Sequence, residues 1–192
     1  VIQYYSDLLK FILYSKLSGE EKKLKTGMQS VLLLLRSKDL LPKKIRALEM
    51  FGMHGLWHTM DYVHLVEHLD IFELDKKFSD LSKKNLPKNK TNFFSEDSIK
   101  WISSSNKTYN FIVADIPYSG TFYNELGLPL FFNDMLKVTE KNGILIFNCH
   151  TKILSDPLFE NNIRTLNNTE KTISQILLVP KNSLVTYVIL SI

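Results

Sequence analysis

The chain has 192 residues, 44% of them hydrophobic, and a formal net charge of +4. This length and composition predict one domain with a substantial core and at most a small appendage. No apolar run reaches the roughly 18 residues that a membrane-spanning helix needs, and Cys149 is the only cysteine, which excludes an internal disulfide. We therefore expect a cytoplasmic protein without a membrane span.

The amino-terminal part of the chain is predicted to be helical. Apolar residues recur at helical spacing in residues 2–17 and again in residues 20–37, and Ser18-Gly19 separates the two runs. Residues 1–42 are therefore expected to form a helical hairpin or cap. This segment would cover the sheet, bind substrate or pair with another subunit, and its sequence does not choose among these roles.

The charge of the chain is concentrated in the same part. Residues 1–46 contain ten Lys or Arg and four Asp or Glu, a balance of +6, whereas residues 47–192 contain fourteen and sixteen, a balance of −2. A basic segment of this kind attracts polyanions, so nucleic acid is a candidate partner through the amino-terminal helices. A solvated helical face is the alternative interpretation, and a homo-oligomer formed through these helices is a further one.

Strands and helices alternate through residues 43–192, which we expect to form the main domain. The predicted strands are residues 43–49, 69–73, 90–94, 109–115, 144–148, 173–179 and 184–190. The predicted helices are residues 56–66, 75–86, 98–104, 130–139 and 156–166. The expected fold class is α/β: a Rossmann-like, seven-stranded, mostly parallel, doubly wound sheet with a C-terminal antiparallel hairpin and an N-terminal helical extension.

The first strand is followed by a turn with two glycines, and the second strand ends on an acid. Gly52 and Gly55 lie where the first strand must turn into a helix, and Glu73 ends the second strand. Glycine lets a ligand approach the backbone closely, and a helix N-terminus offers unpaired N–H groups. In doubly wound folds these features bind a nucleoside, with the acid accepting hydrogen bonds from the ribose. An ordinary turn and helix start is the alternative.

The fourth predicted strand runs into Asp115-Ile116-Pro117-Tyr118. This run resembles the D/N-x-P-Y/F motif that follows the fourth strand of amino-methyltransferases in the class I S-adenosylmethionine-dependent methyltransferase superfamily. The spacing is most similar to that of small bacterial rRNA guanine-N2 methyltransferases, whose motif is D-P-P-Y. Ile116 replaces the first proline of that motif, and the first turn has two glycines where three are common.

The resemblance implies S-adenosylmethionine as the cofactor. Glu73 resembles the ribose-binding acid and Asp97 the adenine-contacting acid of the superfamily, while His54 lies in the turn beside the methionine pocket. The implied cofactor-binding residues are Glu49, Phe51, Gly52, His54, Gly55, Glu73, Asp97 and Asp115.

The resemblance also implies catalytic roles for Asp115, Pro117 and Tyr118. Methyl transfer to an amine is an in-line displacement, so positioning supplies most of the rate. The Asp115 carboxylate and the carbonyl of Ile116 would accept hydrogen bonds from the amine and stabilise the charge that develops on nitrogen. Pro117 restricts the backbone, and Tyr118 would stack on a planar substrate.

The leading functional hypothesis is thus a methyltransferase acting on an amino nitrogen of a nucleic-acid base. The alternatives are a small-molecule methyltransferase, another S-adenosylmethionine-using reaction such as aminopropyl transfer or cofactor cleavage, and a non-catalytic binding subunit. Histidine pairs four residues apart, His54 with His58 and His64 with His68, give no complete metal signature because a zinc site needs more ligands.

Overall fold

Eight strands and five α-helices are present in the computed structural model, which describes residues 2–3, 27–51, 55–115, 129–150, 173, 175–180 and 185–192. The strands are β1 Ile2–Gln3, β2 Ile45–Met50, β3 Val66–Phe72, β4 Thr91–Phe94, β5 Tyr109–Asp115, β6 Thr139–His150, β7 Gln175–Pro180 and β8 Val185–Ser191. The helices are α1 Gly27–Ser37, α2 Gly55–Tyr62, α3 Lys76–Asn85, α4 Ser98–Ser104 and α5 Pro129–Val138, and a 3-10 helix, Val63–Leu65, follows α2.

All eight strands form one sheet in the order β1-β7-β8-β6-β5-β2-β3-β4. Strands β2 to β6 pair in parallel, and β8 is antiparallel to both β6 and β7. The predicted Rossmann-like sheet with a C-terminal antiparallel hairpin is therefore confirmed. The chain runs outward from β2 through β3 to β4 and then continues on the other side of β2 at β5. This reversal is the topological switch point at which doubly wound folds bind ligands.

Both faces of the central strands are buried, as parallel sheets require. Successive side chains of a strand point to opposite faces. In β5, Phe111 and Val113 belong to the apolar cluster that contains α1, whereas Ile112 and Ala114 belong to the cluster that contains α5. Because side chains alternate between the two faces in this way, the face of each polar residue at the end of a strand follows from its position in the alternation.

Helix α1 packs onto the sheet through Met28, Val31 and Leu35, which are fully buried. The second amino-terminal helix is thus confirmed over Gly27–Ser37. The first predicted helix is wrong at its start, because Ile2–Gln3 forms a strand parallel to β7 at the edge of the sheet. Backbone pairing with β7 outweighs the local helical spacing. Residues 4–26 lie outside the described residues, and the division into residues 1–42 and 43–192 stays a prediction.

Strand β6 is much longer than predicted. Asn142 and Gly143 precede the predicted strand 144–148 but lie inside β6, where the pairing with β5 shifts between Tyr109–Thr139 and Phe111–Ile144. The left-handed φ of 63° at Asn142 accommodates this bulge. The predicted helix 156–166 lies outside the described residues. None of the helices in the described part of the chain has the length and apolar character needed to cross a membrane.

Candidate active site

Four acids lie at the carboxyl ends of neighbouring strands. Glu49 of β2 pairs with Val113 of β5, so Asp115 lies two residues further along the adjacent strand. Glu73 directly follows β3, and Asp97 lies three residues beyond the end of β4. Glu49 and Asp115 flank the switch point, where ligands bind in this class of fold. The structure therefore brings these four predicted residues to one edge of the sheet.

Glu49 is fully buried beneath α2. Its Oε2 accepts hydrogen bonds from the hydroxyls of Thr59 and Tyr62, and within the described residues its Oε1 has no hydrogen-bond partner. Burial raises the pKa of Glu49 to about 7; the two hydroxyls lower this pKa and the nearby Asp115 carboxylate raises it. No cation contributes to this balance, so the carboxylate is poorly compensated within the described chain.

Asp115 belongs to a buried row of polar side chains that crosses three strands. Asp115 pairs in register with Asn148 of β6, and Asn148 pairs with Tyr187 of β8. Asn148 Nδ2 donates to Asp115 Oδ1 at 2.7 Å. The row lies on the face covered by α2, because Asp115 and Asn148 are each two positions beyond an apolar residue of the α1 cluster and Tyr187 itself belongs to that cluster.

His58 of α2 connects the two ends of this row. Its Nε2 lies 3.2 Å from Asn148 Nδ2 and 3.7 Å from Asp115 Oδ2, and its Nδ1 lies 3.1 Å from the Tyr187 hydroxyl. The His58 and Tyr187 rings meet edge to face, with 5.7 Å between their centroids. All four side chains are buried. They form a continuous polar network that begins at Asp115 and ends at Tyr187.

Glu73 and Asp97 are anchored by backbone N–H groups next to them in sequence. Glu73 Oε1 accepts from the N–H of Asp75 at 2.7 Å, and Asp97 caps α4 by accepting from the N–H of Ile99 at 3.0 Å. These bonds orient both carboxylates at the sheet edge. Contact of Glu73 with a ribose and of Asp97 with an adenine stays a prediction.

The first turn begins at Phe51, whose φ of 61° lies in the left-handed region that usually favours glycine. Gly55 is the first residue of α2. The other residues predicted for the turn and for catalysis lie outside the described residues; they are Gly52, His54, Pro117 and Tyr118. In the part of the chain that the structure describes, no three His, Cys, Asp or Glu residues group to hold a metal ion.

A family model for the spermine/spermidine synthase domain matches residues 56–191, which is well over half of the chain. The chain belongs to the spermine/spermidine synthase domain family. The matched region contains α2 except for its first residue, together with Asp115, Asn148 and Tyr187, and it begins after Glu49. The family match indicates a branch related to the methyltransferase superfamily that the sequence resembles, and it does not test the narrower resemblance to the amino-methyltransferases.

A curated relative in this family is the polyamine aminopropyltransferase of Methanocaldococcus jannaschii. It is 28% identical over 113 residues, which are 53% of this chain and 37% of the relative. The chain therefore matches little more than a third of the length of that protein.

Solved structures agree on the fold. Spermidine synthase from Thermotoga maritima superposes with a TM-score of 0.58 and 14% identity, covering 79% of this chain and 55% of that one. A SAM-dependent methyltransferase from Agrobacterium tumefaciens gives a TM-score of 0.61 and 14% identity, covering 85% and 62%. The methyltransferase-like fold is therefore confirmed, while the D-x-P-Y assignment stays a prediction because Ile116, Pro117 and Tyr118 lie outside the described residues.

Sequence reasoning missed most of the polar side chains around Asp115 and Glu49 in this spermine/spermidine synthase domain. The missed residues are His58, Thr59, Tyr62, Asn148 and Tyr187. A signal existed in β6, where Ile144 and Ile146 lie on the α2 face and the polar Asn148 continues the same period of two. A polar side chain at the end of such an apolar row marks the carboxyl edge, where polar groups serve ligands rather than packing.

Proposed function

We propose that this chain transfers an aminopropyl group from a decarboxylated S-adenosylmethionine to an amine. The observation that carries this proposal is the match of residues 56–191 to the spermine/spermidine synthase domain, which includes the switch-point acid Asp115. The relative in Methanocaldococcus jannaschii bears the name polyamine aminopropyltransferase, which supports the same reaction type. This ranks aminopropyl transfer, an alternative in the sequence analysis, above methyl transfer.

The donor set at the sheet edge fits an adenosyl sulfonium. Glu49 Oε1 is a buried acceptor without a hydrogen-bond partner in the described chain, and Glu73 and Asp97 follow the next two strands. Glu73 would hold the ribose, Asp97 the adenine, and Glu49 the cationic end of the donor. When bound, the donor supplies a propyl carbon that the amine attacks, and the carbon–sulfur bond breaks with both electrons going to sulfur.

The residues of the chain then have two tasks. Asp115 accepts a hydrogen bond from the amine, which aims the nitrogen lone pair and stabilises the positive charge developing on it. The amine also loses a proton, which a neighbouring base must take. Asn148 fixes the Asp115 carboxylate through the 2.7 Å hydrogen bond, so the acid is already oriented before the amine arrives.

Two buried carboxylates at one site favour cationic ligands. The Asp115 charge adds to the effect of burial in raising the pKa of Glu49. A sulfonium and an ammonium bring the positive charges that would relieve this repulsion. An anionic carboxylate on the donor would add to it, which favours the decarboxylated form and thereby aminopropyl rather than methyl transfer.

Methyl transfer to an amino nitrogen is the second candidate. It is supported by Asp115-Ile116-Pro117-Tyr118 and by the similarity of the fold to the Agrobacterium tumefaciens methyltransferase. In this version the balance of +6 in residues 1–46 would bind a nucleic-acid substrate, and binding would weaken steeply with added salt. Salt-independent binding would remove nucleic acid from consideration.

Product analysis separates the two reactions. The protein is incubated with S-adenosylmethionine or its decarboxylated form, together with putrescine or with a mixed RNA, and the nucleoside product is identified by mass spectrometry. We expect methylthioadenosine from the decarboxylated donor and putrescine. S-adenosylhomocysteine would instead mean methyl transfer and overturn the proposal. Asp70→Asn, which changes a buried carboxylate outside the site, is the matched control for variants of the site acids and should give the same product as the wild type.

A further inference from the structure

The geometry around His58 determines where its proton lies. A carboxylate only accepts hydrogen bonds, so the Asn148 atom 2.7 Å from Asp115 Oδ1 is the amide nitrogen. The same nitrogen lies 3.2 Å from His58 Nε2, which must therefore accept from it. The proton of the neutral imidazole is then on Nδ1, where it is donated to the Tyr187 hydroxyl 3.1 Å away.

The Nε2 lone pair therefore lies next to the carboxylate that is proposed to hold the amine. Protonation at Nε2 breaks the hydrogen bond from Asn148 Nδ2 and gives an imidazolium whose new N–H can turn toward Asp115 Oδ2, 3.7 Å away. Closing that gap by about 1 Å makes a charge-assisted hydrogen bond. His58 and Asp115 are both buried, so no bulk water competes for the proton.

We propose that His58 accepts, through Asp115, the proton that the amine loses before or during transfer. This inference rests on the proposed aminopropyl transfer. The acceptor amine enters as an ammonium ion, because an alkyl ammonium ordinarily has a pKa of about 10.4. Its N–H bond breaks, the lone pair becomes available to the propyl carbon, and a proton ends on Nε2. His58 acts through Asp115 and is thus a positioning and proton-accepting residue.

Cys149 and Tyr187, near Asp115, are poorer acceptors for this proton. Burial raises the pKa of Cys149 in β6 to about 12 and raises that of Tyr187 in β8 above its usual range, so both already hold a proton. Glu49 in β2 also lies near Asp115; its Oε2 accepts from the hydroxyls of Thr59 and Tyr62, but its Oε1 has no hydrogen-bond partner in the described chain. Glu49 is therefore the competing acceptor that an experiment must separate from His58.

The first experiment measures kcat/KM for putrescine against pH in the wild type, His58→Gln and Glu49→Gln. We expect His58→Gln to lose about 100-fold near pH 7, which is the usual worth of a general base. The loss should disappear at a pH where the amine is already deprotonated. A diamine with fluorine beside the amine, which is less basic, should shrink the loss at neutral pH. If the loss in kcat/KM of His58→Gln is constant with pH, the proposal is overturned. The proposal is also overturned if a loss that disappears at high pH is seen only in Glu49→Gln.

The second measurement needs no activity. Long-range proton–nitrogen NMR correlation of the ¹⁵N-labelled protein reads the tautomer of each histidine, and His58→Gln assigns the signal. We expect the proton on Nδ1 and a lone pair on Nε2, and we expect Tyr187→Phe to weaken this preference. The opposite tautomer would overturn the proton pathway even if aminopropyl transfer is correct. Absence of methylthioadenosine with the expected tautomer would instead contradict the proposed function alone.

Discussion

Two buried carboxylates in this protein have similar neighbours but opposite electrostatics. Asp70 in β3 and Glu49 in β2 are both fully buried, and each accepts a hydrogen bond from a tyrosine hydroxyl, Tyr109 for Asp70 and Tyr62 for Glu49. The pKa of Asp70 is nevertheless lowered, whereas the pKa of Glu49 is raised to about 7. The opposite pKa shifts show that the surrounding residues stabilise the ionised form of Asp70 but not that of Glu49.

Hydrogen bonds and nearby positive charge together lower the pKa of Asp70. Burial raises this pKa, but the hydrogen bonds from Tyr109 and Asn92 and the smaller effects of His68 and Lys107 together outweigh burial. The His68 nitrogen lies 2.9 Å and the Lys107 nitrogen 3.3 Å from the Asp70 carboxylate. This acid is compensated within the chain and serves the fold.

Glu49 accepts hydrogen bonds from two hydroxyls, and among the described residues no cation contributes to its pKa, whereas Asp70 also has two basic side chains, His68 and Lys107, nearby. Thr59 and Tyr62 lower its pKa, but burial outweighs them and Asp115 raises it further. A poorly compensated carboxylate at the switch point is therefore expected to bind a cation from outside the chain. From this comparison we expect Glu49 and Asp115 to bind ligands and Asp70 to serve stability, and each prediction below tests one side of it.

The largest effect is expected on activity from Asp115→Asn. An amide keeps the size of the side chain but cannot attract an ammonium ion or pass on its proton, so transfer should fall by about 100- to 10,000-fold. Initial rates of methylthioadenosine formation measure this loss. Asp70→Asn should leave those rates close to the wild type, measured at a temperature where both proteins are folded. Equal loss in the two variants would contradict the assignment.

The next effect is on the stability of Glu49→Gln. Because the folded pKa of about 7 exceeds the ordinary 4.5, the folded state binds the proton more tightly, and the free energy of unfolding falls as pH rises from about 4.5 through about 7. One pKa unit corresponds to about 1.4 kcal/mol, so keeping Glu49 ionised and buried at high pH lowers the free energy of unfolding by roughly 3 kcal/mol. The glutamine avoids that cost, so its stability relative to the wild type should increase by this amount.

Urea denaturation of both proteins at pH 5 and pH 8 gives the comparison. If the difference between the two proteins is the same at both values, Glu49 is ionised throughout and the electrostatic contrast with Asp70 is lost. Calorimetric titration with decarboxylated S-adenosylmethionine adds a ligand readout, because a bound cation should lower the pKa of Glu49 and release protons near pH 7. Glu49→Gln should release fewer protons.

The sequence predicted the elements around these acids better than the polar network itself. The predicted helix 98–104 and strand 109–115 agree with the structure at both ends, because Asp97 caps the helix and the centre of the strand, residues 111–114, is a continuous apolar run. Local signals of this kind depend on a few neighbouring residues. The same signals placed Glu49, Glu73 and Asp115 at one edge of the sheet.

The network around His58 depends on distant residues. His58 contacts Asn148, 90 residues away, and Tyr187, 129 residues away. Such contacts follow from the strand order β8-β6-β5 and from the register, and spacing along the chain does not encode either. The bulge at Asn142 and the strand β1 were missed for the same reason, since both arise from pairing across the sheet.

The third effect is on the stability of Asp70→Asn. Since the folded pKa of Asp70 lies below its usual value, its charge stabilises the fold above about pH 4, and this contribution is lost as pH falls through the folded pKa. Removing charge-assisted hydrogen bonds should cost about 2 kcal/mol at pH 7. Thermal unfolding at pH 7 and pH 3 should show a large deficit only at pH 7. A deficit of the same size at pH 3 would mean that shape, rather than charge, is what Asp70 provides.

The smallest effect tests how α1 supports the ligand side of the comparison. A Cβ at Gly27 would lie 2.5 Å from Tyr187 Cε2 and 3.0 Å from its hydroxyl oxygen, and Tyr187 is fully buried. Gly27→Ala should therefore cost about 1 kcal/mol of unfolding free energy, because overpacking outweighs the better helix preference of alanine. Ser30→Ala, in the same helix, is the control for that preference.

The displaced Tyr187 ring should also move its hydroxyl away from His58 Nδ1. Gly27→Ala is then expected to change the NMR tautomer signal of His58 and to leave the hydrogen bonds of Asp70 unchanged, since Asp70 lies on the opposite face of the sheet with Tyr109. If Gly27→Ala loses stability and the His58 signal stays the same, the Tyr187 ring adjusts to the added methyl group without changing the proton position of His58. In that case α1 would support the fold alone, and the proton position would depend on Asn148 and Asp115.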